Sequence, residues 1–104
     1  MRGFEKFGFI IAPRALVNRK VRVGWMYREE PDIDGDSGWR VFVGDESDTQ
    51  LENSTYFDTY DVRTILEVDP SIENFLHAPE GSAFERDAAG ILVPAKFDPP
   101  QEEE

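Results

Sequence analysis

Lys20-Val21-Arg22-Val23-Gly24-Trp25-Met26-Tyr27-Arg28 alternates in character with a period of two, and Trp39-Arg40-Val41-Phe42-Val43 repeats the pattern beyond a ten-residue gap. Successive side chains of a strand point to opposite faces, so this period marks strands with one buried face. Val21, Val23, Trp25 and Tyr27 fall on one face of the first segment, with Lys20, Arg22 and Arg28 on the other. In the second, Trp39, Val41 and Val43 share a face, with Arg40 and Phe42 opposite. Met26 and Phe42 interrupt otherwise polar faces, which predicts some cover there too. The intervening Glu29-Glu30-Pro31-Asp32-Ile33-Asp34-Gly35-Asp36-Ser37-Gly38 is rich in turn formers. The expected arrangement is an antiparallel pair joined by a long acidic loop.

Outward from this pair, Phe7 to Ala12 reads as a buried strand stopped by Pro13, and Ala15, Leu16 and Val17 as a short helical turn. Gly44-Asp45-Glu46 ends the second alternating strand. A polar stretch from Ser47 to Thr55 follows, with one helical turn around Leu51. Asp61 caps a short helix carrying Val62, Ile65 and Leu66. Asp69 before Pro70 starts another, because the carboxylate accepts orphan amides and the proline presets the first turn; Ile72, Phe75 and Leu76 form its apolar face. Ser82 to Arg86 and Ile91 to Val93 read as a closing hairpin around Asp87-Ala88-Ala89-Gly90. The expected fold is α+β, an antiparallel twisted sheet of four to six short strands with two short helices on one face. Residues 1–98 form this one domain and 99–104 an acidic tail.

The chain has 104 residues, a length that accommodates one core. Cysteine is absent, which favours a reducing setting over a disulfide-stapled secreted one. The apolar run behind Arg2 and Lys6 is too short for a signal peptide or a membrane span. The expected location is the cytoplasm. A formal charge of −11 is unevenly spread: residues 1–28 carry +6, 29–61 carry −10 and 62–104 carry −7, including Glu102, Glu103 and Glu104. Such a field repels phosphate backbones and anionic lipid, so neither nucleic acid nor membrane is an expected partner. It attracts a basic protein surface, or it simply keeps a small domain dispersed.

Chemistry finds little foothold. Asp32, Asp34 and Asp36 alternate beside Gly35, yet an EF-hand needs glycine where Ser37 stands and a glutamate where Val43 stands. A solvated acidic turn is the better reading, and one histidine with no thiol argues against a transition metal. No metal or cofactor is expected. His77 sits near a helix end, where capping or packing suits it better than base catalysis. Ser82 lacks the strained elbow of a serine hydrolase, and no phosphate-cradling glycine loop occurs. The expectation is that the protein is not an enzyme. Among the aromatics, Trp39 reads first as core, while Tyr56 and Tyr60 divide evenly between core and surface.

Met26-Tyr27-Arg28-Glu29-Glu30-Pro31, Asp36-Ser37-Gly38-Trp39-Arg40, Gly44-Asp45-Glu46, Tyr60-Asp61, Asp69-Pro70-Ser71-Ile72 and Gly81-Ser82-Ala83-Phe84-Glu85-Arg86 occur in that order. In this the chain resembles a bacterial family of unassigned function, described as an immunity-protein-like domain of polymorphic toxin systems. The resemblance runs from about Gly8 to Arg86. It implies a non-catalytic protein that neutralises a cognate toxin by contact, its acidic loops meeting a basic surface. The alternative is a ligand- or protein-binding regulatory domain with no toxin partner. Candidate partner-binding residues are Glu29, Glu30, Asp32, Asp34, Asp36, Trp39, Asp45 and Glu46. Against that role stands a structural one, in which Asp36, Ser37 and Gly38 shape the loop while Arg28 and Arg40 pair with the acids.

Overall fold

A computed structural model describes residues 7–99. The N-terminal Arg2, Glu5 and Lys6 and the tail beyond Pro99 lie outside the described residues. Six strands form one sheet: β1 (Phe9–Pro13), β2 (Trp25–Arg28), β3 (Asp36–Phe42), β4 (Phe57–Asp61), β5 (Ala83–Arg86) and β6 (Leu92–Pro94). Between them lie α1 (Arg14–Arg19), α2 (Asp48–Glu52), α3 (Val62–Val68) and two 3-10 helices, Ser54–Tyr56 and Pro70–Phe75. The sheet order is β4-β1-β3-β2-β5-β6. The fold is α+β, as the sequence implies, and the sheet is mostly antiparallel. One pair departs from that, because β1 lies parallel to β3, with an irregular register between Phe9 and Ile11. The chain leaves β1 through α1 and β2 before returning, and that crossover fixes the parallel sense.

Local signals account for the boundaries. Pro13 closes β1 and stands at the head of α1. Asp61 accepts from the Arg63 amide at 2.8 Å and caps α3, while Asp69 accepts from the Ser71 amide at 3.1 Å and caps the segment that Pro70 begins. That segment winds as a 3-10 helix, burying Ile72 and Leu76. Asp87 closes the β5–β6 turn by accepting from the amides of Ala89 and Ile91.

The main core lies between one sheet face and α1, α3 and the 3-10 helix Pro70–Phe75. Ile10, Ala12, Val23, Met26, Trp39 and Val41 meet Leu16, Val62, Ile65, Leu66, Ile72 and Leu76 there. Trp39 is fully buried and its indole nitrogen donates to the Leu76 carbonyl at 2.9 Å, so the ring's single polar group is satisfied. Arg28 lies close by, 5.8 Å over the Trp39 ring and 5.3 Å over Phe7, and donates to the carbonyls of Ser37, Leu76 and Ala78. It therefore satisfies main-chain oxygens, one of them in the acidic loop, rather than the loop's carboxylates. His77 packs edge-on against Phe7 at 5.9 Å.

The alternation around Trp25 is corrected by the structure. Val23 lies in the main core, but Trp25 and Tyr27 face the other way, and Met26 takes the core position. The break is at Gly24. Its amide bonds the Phe42 carbonyl at 2.8 Å, and a Cβ at this position would sit 1.9 Å from the Val43 carbonyl oxygen. Only glycine permits so close a backbone approach, so β2 begins at Trp25 with the faces exchanged. Trp25, Tyr27, Phe42 and Ala83 consequently build a second, smaller cluster on the sheet's opposite face, with Leu51 of α2 and Phe57 packed on it.

Helix α2 buries no residue, and a reciprocal cap compensates for that weak anchorage. Ser47 Oγ accepts from the Gln50 amide at 3.1 Å and Gln50 Oε1 from the Ser47 amide at 2.9 Å. Ser47→Ala is expected to cost this helix about 1 kcal/mol. Hydrogen exchange should show residues 48–52 losing protection while the β3 amides keep theirs.

Candidate functional site

On the face away from α1 and α3, Tyr27 and Phe42 of the second cluster, with Leu51 and Phe57 packed on it, line an open hollow. Trp25 and Phe42 stack with ring centroids 4.6 Å apart, Tyr27 lies 5.7 Å from Phe42, and Phe57 meets Phe42 edge-on at 5.8 Å. Leu51 reaches down from α2 to the same cluster. The hollow has a volume of about 900 Å³, and its walls carry Glu29, Asp32, Asp48, Glu52 and Asp58. Both acidic stretches of the chain thus border one concavity.

Arg40 projects into this site from β3, with its side chain only 5% exposed. Its Nε donates to Glu29 Oε2 at 2.7 Å, and Nη1 and Nη2 donate to the two Asp36 oxygens at 2.8 Å each. Asp32 stands 3.9 Å from Nη2. Burial by itself lowers the arginine's affinity for its proton, but the hydrogen bonds and charges of Asp36 and Glu29 more than reverse this. Burial likewise pushes the Asp36 carboxyl up, and it is outweighed by hydrogen bonds from Arg40, the Asp32 amide and the Gly38 amide; the result is a fall from 3.8 to about 2. Tyr27 is held well above its ordinary value, first by burial and then by the Glu29 charge.

Asp36 also shapes the loop. Its Oδ2 accepts from the Asp32 amide at 2.9 Å and its Oδ1 from the Gly38 amide at 2.8 Å. Gly38 adopts φ +90°, and a Cβ on it would lie 2.3 Å from the Glu29 carbonyl oxygen. A side chain there would force the two loop stems apart, so this glycine lets Glu29 reach Arg40. The Glu29 amide completes the closure by donating to the Gly38 carbonyl at 2.9 Å.

The eight candidate residues therefore divide. Glu29, Asp32 and Asp36 converge on Arg40. Asp36 and Trp39 are interior, the first as the arginine's counter-ion and the second as core, so neither side chain is exposed at the surface. Glu46 turns back to accept from the Val43 and Gly44 amides at 2.7 and 3.0 Å, which orders the turn after β3. Asp45 is exposed beside a second hollow that Glu46, Trp25 and Glu85 also line. Glu30 and Asp34 are exposed on the loop outside the main hollow. Both Asp36 oxygens are engaged, which removes it from any calcium-like set with Asp32 and Asp34. Among the described residues no group of three or more histidine and acidic side chains is arranged for a metal ion.

Sequence reasoning passed over Asp48, Glu52, Asp58 and Leu51, whose membership of the −10 segment is the one signal that pointed to them; Phe57 stood out only as one of the aromatics after the second acidic stretch. Tyr56 and Tyr60 are both partly buried, Tyr60 packing against the main core. Arg14 pairs with Asp58 at 3.5 Å, but both side chains are more than half exposed, so water screens the contact.

No helix among the described residues is long and apolar enough to cross a membrane. No curated protein and no solved structure matches the chain. A family model described as the Immunity protein Imm33 domain matches residues 10–96. That span takes in the six strands except Phe9 at the start of β1, the loop that closes on Asp36 and every wall residue of the hollow. The chain belongs to the Immunity protein Imm33 domain family.

Proposed function

We propose that this domain neutralises a bacterial toxin by binding it, in the cytoplasm of the cell that makes both, through the acidic face around Arg40. The family match over residues 10–96 carries this reading. Two features of the molecule support it. Five carboxylates from the two acidic stretches, Glu29, Asp32, Asp48, Glu52 and Asp58, border one concave surface that Tyr27, Phe42 and Phe57 also line. The loop that presents Asp32 is pinned from within by Asp36, so less ordering entropy is lost on association. Ile33, 66% exposed on the same loop, offers an apolar contact among the charges. Blocking a toxin by contact requires no metal or cofactor, and the acidic face itself repels phosphate backbones and anionic lipid.

The test uses the full chain and the toxin encoded beside its gene. Calorimetry should show tight 1:1 binding that weakens as salt rises, because rim charges act on encounter and screening. Asp32→Lys, Asp48→Lys and Asp58→Lys should each weaken binding by about tenfold. Glu67→Lys and Glu73→Lys, on exposed positions of the helical layer, should leave it unchanged. Equal losses from both sets, or a complex indifferent to salt, would remove the acidic face from the proposal.

A further inference from the structure

We infer that the hollow beside Arg40 receives an arginine side chain of the bound protein; this rests on the toxin-binding reading and names the chemistry of its contact. Five carboxylates, Glu29, Asp32, Asp48, Glu52 and Asp58, face the hollow; Arg40 is the one guanidinium among its walls, and the exposed Arg14 pairs with Asp58 at 3.5 Å. The Arg40 guanidinium is already held by Glu29 and by both oxygens of Asp36. The concavity therefore keeps a net negative charge, and a concave wall focuses such a field on whatever enters. Its complement is a cation.

Asp48 and Glu52 sharpen the requirement. They stand four residues apart on α2, where side chains are neighbours on one helix face, and both border the hollow. Among the described residues neither has an ion-pair partner. Two like charges at this spacing oppose the helix they sit on, and a cation between them reverses that penalty. The aromatic lining then decides between the two basic side chains. The half-buried ring of Phe57 lines the hollow beside the nearly buried rings of Tyr27 and Phe42. A planar guanidinium stacks on such rings and forks onto a carboxylate, whereas the ammonium of lysine is a strongly hydrated point charge. A hollow of about 900 Å³ is also wide enough for an arginine with its flanking backbone.

The test is an NMR titration of the ¹⁵N-labelled full chain with three capped pentapeptides, Ac-Gly-Leu-Xaa-Leu-Gly-NH2, in which Xaa is arginine, lysine or the uncharged isostere citrulline. The arginine peptide should give saturable shifts confined to Tyr27, Phe42, Leu51, Phe57 and their neighbours. Lysine should bind about fivefold more weakly and citrulline should not bind, because one lacks the planar fork and the other the charge. The doubly neutralised Asp48→Asn, Glu52→Gln chain, changed only at exposed positions, should weaken the arginine peptide by about tenfold. Shifts of equal size at Glu67 and Glu73, or equal affinity for the arginine and citrulline peptides, would overturn the assignment. The same double variant is then titrated with the toxin. Full retention of toxin affinity overturns the hollow as the contact while leaving toxin binding intact. Peptide binding without toxin binding sustains the arginine site and sinks the toxin reading.

Discussion

Asp36→Ala is expected to destabilise the domain by about 3 kcal/mol, the cost of removing the bidentate partner of a buried charge and leaving Arg40 to Glu29 and the more distant Asp32. The Asp36 side chain is 1% exposed and the Arg40 side chain 5%, so water cannot replace the lost carboxylate. Two backbone amides, those of Asp32 and Gly38, lose their acceptor in the same step. In a domain of this size the melting temperature should fall by roughly 15 °C or more. The double variant Asp36→Ala, Arg40→Met separates stranded charge from lost packing. It should recover much of the loss, since replacing both partners of a buried pair is far less costly than breaking it. Recovery of nothing would mean that the pair contributes only through the loop it closes.

The same carboxylate gives the domain a pH dependence. Its pKa is depressed on folding, from 3.8 to about 2, so the folded state binds its proton less readily than the unfolded chain does. The stabilisation is complete above about pH 4 and is lost as pH falls toward 2, amounting to about 2 kcal/mol. Urea unfolding of the parent chain between pH 5 and 2 should show this decline, and Asp36→Asn should flatten it.

Asp69→Ala is expected to cost about 3 kcal/mol, for a related reason in a different place. Asp69 is 3% exposed and gathers three parts of the chain. Its Oδ2 accepts from the Val23 amide at 2.9 Å and from Arg86 Nη2 at 2.6 Å, while its Oδ1 takes the Ser71 amide and hydroxyl. Removing it orphans a buried amide before β2 and uncaps the 3-10 helix. Arg86 is partly spared, because it also donates to the carbonyls of Val23 and Gly90. Asp69→Asn keeps an acceptor for Val23 and should lose only about half as much. Hydrogen exchange provides the local check: the Val23 amide should lose its protection in Asp69→Ala ahead of the β3 amides. Retained protection at Val23 would mean that water or a neighbour supplies the missing acceptor.

Asp69 also shows how far a sequence can be read. Before Pro70 it announces a helix start, and the structure uses it so. Nothing in its neighbourhood announces that the same carboxylate would hold Val23 and Arg86, 46 and 17 residues away. The site behaves likewise. Acidity between Glu29 and Asp61 was visible as a count, and pairing of Arg40 with the acids was one of two readings of the loop. Arg28 was assigned the same role and instead serves carbonyls. Trp39 was expected in the core by its alternation with Val41 and Val43, and it is there.

By itself, then, the sequence determined the caps at Asp61 and Asp69, the closing hairpin, the β3 alternation and the α+β class. Each rests on interactions spanning a few residues, which neighbouring side chains dictate. The tertiary structure decided which face the aromatic residues of β2 would take, that β1 would lie parallel to β3, and that residues 29–32 and 48–58 would meet around Arg40. A one-residue change of phase at Gly24 exchanges both faces of the following strand. That phase is fixed by how closely Gly24 approaches Val43, a contact between residues 19 positions apart that no local pattern encodes.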